Sequence, residues 1–114
     1  MRDKEFRQYS KSERGKAMHT RIMTVQVQPG KMDQLVGIYR DSIVPAAKEQ
    51  KGFKGGFLLT DPSTNKIISI SLWETEGNMT AGEASGYLKE QIAKITPTFA
   101  GPATKEHYEV SVQA

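Results

Sequence analysis

Apolar and polar positions alternate strictly along Arg21 to Gln28: Met23, Val25 and Val27 fall on one side, Ile22, Thr24, Gln26 and Gln28 on the other. A period of two predicts a half-buried strand. Pro29-Gly30 ends it, and the period then changes. Met32, Leu35, Val36, Tyr39 and Ile43 recur at helical spacing. Pro45 is expected to kink or locally break that helix, because its ring meets the carbonyl four residues back. Helix resumes over 46–50, and Gly52 turns the chain away. A second strand follows from Phe53 to Thr60, with Phe53, Gly55, Phe57 and Leu59 assigned to one face. The turn formers of 61–65 lead into a third strand, Lys66 to Trp73. There Ile68, Ile70 and Leu72 share one face, and Ile67, Ser69, Ser71 and Trp73 share the other. Both faces carry apolar groups, so both are expected to be covered.

Thr75 is placed to cap a helix starting near Glu76. Gly77, Gly82 and Gly86 predict a loose or bent segment over 76–85, since glycine costs about 1 kcal/mol against alanine in a helix interior. A firmer helix carrying Leu88, Ile92 and Ile95 is expected next, stopped by Pro97. A last strand runs from Lys105 to Val112, with Tyr108, Val110 and Val112 on one face. The order β-α-β-β-α-β is the split βαβ pattern of an α+β, ferredoxin-like fold: a four-stranded antiparallel sheet with its helices on one face. The other face, bearing Ile68, Ile70 and Leu72, would be bare in a monomer and is the expected surface for a homodimer joined sheet to sheet.

The 114 residues fit one domain, read as 18–114, behind a charged, flexible tail at 1–17. The tail changes the meaning of the net charge. Its six basic and three acidic side chains account for the whole +3, and the remaining chain is balanced. A balanced body lacks the basic footprint of a nucleic-acid binder. There is no cysteine, so disulfides and thiolate chemistry are excluded. No apolar run approaches the roughly 18 residues of a membrane span, no signal peptide is visible, and a cytoplasmic location is the default expectation.

The strand followed by Pro29-Gly30-Lys31, the helix ending Tyr39-Arg40-Asp41-Ser42-Ile43-Val44-Pro45, Gly52-Phe53-Lys54-Gly55, and Ser71-Leu72-Trp73-Glu74 carry a family likeness. From about Thr20 to Val112 the chain resembles the antibiotic biosynthesis monooxygenase (ABM) domain family, of the dimeric α/β barrel superfamily. The resemblance implies two sheets packed across a two-fold axis, with a cavity between sheet and helices in each subunit. It implies oxidation of a small aromatic or quinol-like substrate with neither metal nor flavin. The heme-degrading relatives use an asparagine on the first strand, a tryptophan ending the third and a histidine on the second helix. Trp73 matches that tryptophan. Met23 stands in the asparagine's place, and the helix around Lys89-Glu90-Gln91 has no histidine, so no heme and no other cofactor is expected.

The candidate ligand site is Met23, Tyr39, Ser69, Ser71 and Trp73, with no metal and no assigned catalytic residue. Each has a second reading. Trp73 either lines a cavity or packs under the second helix. Tyr39 either offers its hydroxyl to a ligand or holds it in water. The serines either bind a ligand or bond locally. His19 and His107 lie far apart in sequence, and His107 is either a general base or a surface histidine at a strand start. Two functions stay open: a cofactor-independent oxygenase, and a non-catalytic homodimer that binds a small apolar ligand.

Overall fold

The computed structural model describes residues 17–114 together with Arg7 and Gln8. The elements are β1 (Arg7–Gln8), β2 (His19–Gln26), α1 (Met32–Ile38), α2 (Val44–Lys48), β3 (Phe53–Asp61), β4 (Lys66–Trp73), α3 (Glu76–Ala84), α4 (Tyr87–Ala93), β5 (Thr104–Glu109) and β6 (Val112–Gln113). Four strands form one antiparallel sheet in the order β3-β4-β2-β5, which is the ferredoxin-like arrangement read from the alternation. The short β1 pairs antiparallel with β6, Arg7 opposite Gln113 and Gln8 opposite Val112. Most of the stretch expected to form a flexible tail lies outside the described residues. No helix among the described residues is long and apolar enough to cross a membrane.

The core lies between the sheet and the helices. Val25, Val27 and Ile67 from the sheet meet Leu35, Ile43 and Ile95, and Leu58 and Phe99 pack against them. Trp73 and Met79 are buried beside this group, at 1% and 0% exposure. No helix of the described residues lies over the opposite face. Phe57 on that face is 63% exposed and Leu59 46%.

Four expectations are refined. Pro45 does not break its helix: residues Tyr39–Ile43 form a π turn between α1 and α2, and the Val44 N–H donates to the Tyr39 carbonyl five residues back. The widened turn gives the proline ring the room that a regular α ladder would deny it. The segment expected to be loose is a regular nine-residue helix, α3. Its glycines are offset by the Thr75 cap, whose Oγ1 accepts the Asn78 N–H at 3.1 Å, and by buried Met79. The bend comes after it, at Gly86 with φ +87°. The last strand stops at Glu109, and Val112 belongs to the separate β1–β6 pair.

The fourth concerns β3. Phe53 pairs with Trp73, but Gly55 pairs with Leu72, so one extra residue is accommodated between them as a β-bulge. Gly55 takes φ +125°, which an L side chain rarely adopts. Phe53 is thereby turned to the helix side, while Gly55, Phe57 and Leu59 stay on the open side. The expected sharing of one face by Phe53 and these three is corrected.

Candidate functional site

A cavity of about 630 Å³ opens between α1, α2 and α4 above and the sheet below. Its floor comes from alternate positions of two central strands: Arg21, Met23 and Val25 of β2, and Ile67, Ser69, Ser71 and Trp73 of β4. Registry makes this one surface, because Met23 lies opposite Ser69 and Arg21 opposite Ser71. Gly56 faces Ser71 from β3, and a Cβ there would overlap the Ile70 carbonyl oxygen. The roof includes Val36, Tyr39 and Ile43 from the first helical segment and Tyr87, Leu88 and Gln91 from α4.

All five candidate residues line this cavity. Tyr39 reaches down from the start of the π turn, and its hydroxyl lies 2.6 Å from Ser69 Oγ. The Trp73 indole N–H donates to Ser71 Oγ at 3.0 Å. Each small hydroxyl of β4 therefore holds the polar tip of one large ring. The two readings of Trp73 turn out to be compatible: it is buried at 1% exposure and also walls the cavity. Phe53 meets it edge to face, centroids 5.5 Å apart, because the bulge brought Phe53 to this side. Met23 supplies apolar floor.

Reading the sequence missed a charged cluster at the end of the cavity. Arg21 is 5% exposed and its guanidinium carbon lies 5.4 Å from the centroid of the Trp73 ring. Its Nη1 donates to Glu83 Oε2 at 3.2 Å and makes a longer contact, 3.5 Å, with the Met79 carbonyl. Lys105 Nζ donates to Glu83 Oε1 at 3.0 Å, and His107 Nε2 lies 2.8 Å from Glu83 Oε2. Burial works to raise the Glu83 carboxyl. Hydrogen bonds from Lys105 and Arg21 and the charges of His107 and Lys105 outweigh it, so the net displacement is downward. On the roof, burial pushes the Tyr87 phenol up, Arg21 opposes this and Tyr39 adds to it. One signal for Arg21 was available: it shares strand parity with Met23 and Val25. Glu83 had none, since its partners are 22 to 62 residues away.

His107 lies outside the cavity lining, held at Glu83, and His19, the first residue of β2, stands opposite Trp73 with Nδ1 3.1 Å from the Ala17 carbonyl. Among the described residues no three histidine or carboxylate side chains gather as a metal site.

A floor carrying two serines and a tryptophan under a helical roof, on a β3-β4-β2-β5 antiparallel sheet, defines the protein's class: an α+β domain with a ferredoxin-like fold. Solved structures carry the same fold at low sequence identity. A provisionally assigned antibiotic biosynthesis monooxygenase from Caulobacter crescentus CB15 superposes with a TM-score of 0.70 at 18% identity, over 87% of this chain and 94% of that one. A provisionally assigned enzyme of the same kind from Nitrosomonas europaea gives 0.68 at 13% identity, over 82% and 90%. The ActVA-Orf6 monooxygenase of Streptomyces coelicolor, in complex with nanaomycin D, gives 0.65 at 18%, over 89% and 94%. These likenesses establish the fold. By sequence, the uncharacterized protein Rv2558 of Mycobacterium tuberculosis H37Rv is 31% identical over 100 residues, covering 87% of this chain and 41% of the relative. Rv2557 of the same strain is 29% identical over 101 residues, covering 85% and 42%. The chain spans about two-fifths of the length of these relatives. No family model matches it.

Proposed function

We propose that the chain is a cofactor-independent monooxygenase acting on a small aromatic, quinol-like substrate. The observation that carries this reading is the cavity itself. About 630 Å³ is the size of a site for a compact ring system. Its walls are mainly apolar, with hydroxyls at Tyr39, Ser69 and Ser71 and a flat indole at Trp73. An electron-rich aromatic such as an anthrone can reduce oxygen itself once it is deprotonated. Its carbanion adds O2, and the hydroperoxide loses water to leave a carbonyl. The protein then has three tasks: to hold the ring, exclude bulk water and stabilise the anion. The ligand bound by the Streptomyces coelicolor neighbour supports looking for substrates among ring compounds of this size. The test is oxygen uptake by the purified protein with anthrones and quinols. Uptake above the buffer rate that falls in Trp73→Ala is the expected result. No uptake with any of them would reject the oxygenase reading.

A second reading is a non-catalytic binding protein. It is favoured by one observation: among the described residues no histidine or carboxylate lines the cavity, which leaves Lys48 and the phenols of Tyr39 and Tyr87 as its side chains able to take a proton. Tight aromatic binding without oxygen uptake would select it. Under either reading we propose a homodimer formed sheet to sheet. The support is the helix-free face, where Phe57 and Leu59 are largely exposed beside the side chains of Ile68, Ile70 and Leu72.

A further inference from the structure

Arg21 is a costly residue to place on the floor of an apolar cavity. A buried guanidinium loses its hydration and needs a full counter-charge. Glu83 supplies one carboxylate, but it is shared. Lys105 takes one of its oxygens at 3.0 Å, Arg21 the other at 3.2 Å, and His107 approaches that second oxygen at 2.8 Å. Two permanent cations therefore divide one anion, and the three-residue group keeps a net positive charge before His107 is counted. Glu76 and Glu109 belong to the His19 end of this face: Glu76 lies 4.0 Å from His19, and Glu109 stands opposite His19 in the β2–β5 register. Arg21 also lines the cavity and lies over the ring of Trp73.

We infer that Arg21 is the anion-binding residue of the cavity, and that the ligand taken there is a flat aromatic carrying an ionised oxygen: a phenolate, an enolate or an aryl carboxylate. This rests on the reading of the cavity as an aromatic site and adds to it the charge of the ligand and the group that selects it. The ring lies against Trp73 and Met23, and its ionised oxygen meets the guanidinium, which already lies beside Trp73. The ligand's charge completes the neutralisation that Glu83 leaves partial. A guanidinium suits this task because it stays charged at all working pH values and donates from a fixed planar fork. Glu83 is a positioning residue: it holds Arg21 from behind and tempers its charge.

The probe is a matched pair, 2-hydroxy-1,4-naphthoquinone, which is anionic at neutral pH, and its neutral 2-methoxy ether. Binding is followed by quenching of Trp73, the sole tryptophan of the chain. The anion should bind at least about tenfold more tightly, the equivalent of one charge-assisted hydrogen bond. That preference should vanish in Arg21→Gln and grow in Glu83→Gln, which removes the competing charge but keeps an amide oxygen to accept the Arg21 hydrogen bond. Circular dichroism establishes that each variant is folded. If Arg21→Gln fails to fold, the native ligand pair and Glu83→Gln decide. Equal binding of anion and ether by the native protein would overturn the role of Arg21 and leave the aromatic site standing. Binding of neither would overturn both.

Discussion

Tyr39 and Ser69 come from elements 30 residues apart and meet at 2.6 Å, so each fixes the other. In Tyr39→Phe the ring still packs, but Ser69 Oγ loses its partner. A loss of about 1 kcal/mol in urea unfolding is expected. Glu83 gives a pH signature. Its folded pKa lies below its unfolded one, so the stability it contributes is present above the unfolded value. That contribution is lost as pH falls through the folded value. Melting temperature should therefore decline on acidification below the ordinary glutamate range, about 4.3. Glu83→Gln should show a shallower decline in the same scans. The five aromatic, serine and methionine positions of the cavity were legible from strand parity and helical spacing. Arg21 carried the same parity signal, but a charge at the start of a strand reads as an exposed end. Only the three-dimensional return of Glu83, from a helix more than 60 residues on, explains why it is buried.

Among the elements, β4 was the most readable. Its two apolar sets at period two became the two faces of the central sheet without correction. β3 was less so. Phe53-Lys54-Gly55-Gly56-Phe57 reads as unbroken alternation, yet the bulge reverses the phase between Phe53 and Gly55. Hydrophobic parity cannot register this, because the deviation lies in a glycine's backbone angle and in no side chain's polarity. The neighbouring Gly56 is constrained differently: its strand backbone runs so close to β4 that a methyl group collides with the Ile70 carbonyl. Gly56→Ala should therefore separate β3 from β4 locally. The expected outcome is faster amide exchange along Phe57–Thr60 and a loss of more than about 1 kcal/mol, beyond the range of ordinary surface substitutions. Exchange unchanged from the native protein would show that the strand yields instead. The π turn was partly legible: Pro45 announced a disturbance, but whether the helix breaks or widens is settled by the packing of Ile43 into the core.

At the scale of the molecule, the helix-free face sets the association expected of the chain. A stable obligate interface buries on the order of 2,000 Å² or more, and exposed Phe57 and Leu59 with their neighbours on β4 are its proposed centre. Light scattering should give a dimer mass. Ile70→Lys should yield monomer or unfolded protein, because it buries an unpaired ammonium. A native monomer for the unaltered chain would refute the interface. The placement of the described helices on the other side has a consequence for stoichiometry. In a face-to-face pair the two sheets stand about 10 Å apart, and each cavity opens away from the partner, behind its own sheet. The described lining of each cavity comes from a single chain, so in such a pair each subunit is expected to hold its own ligand. Calorimetry should count one ligand per chain and trace a hyperbolic isotherm. A stoichiometry of one per dimer would mean that the sheets do not stand back to back.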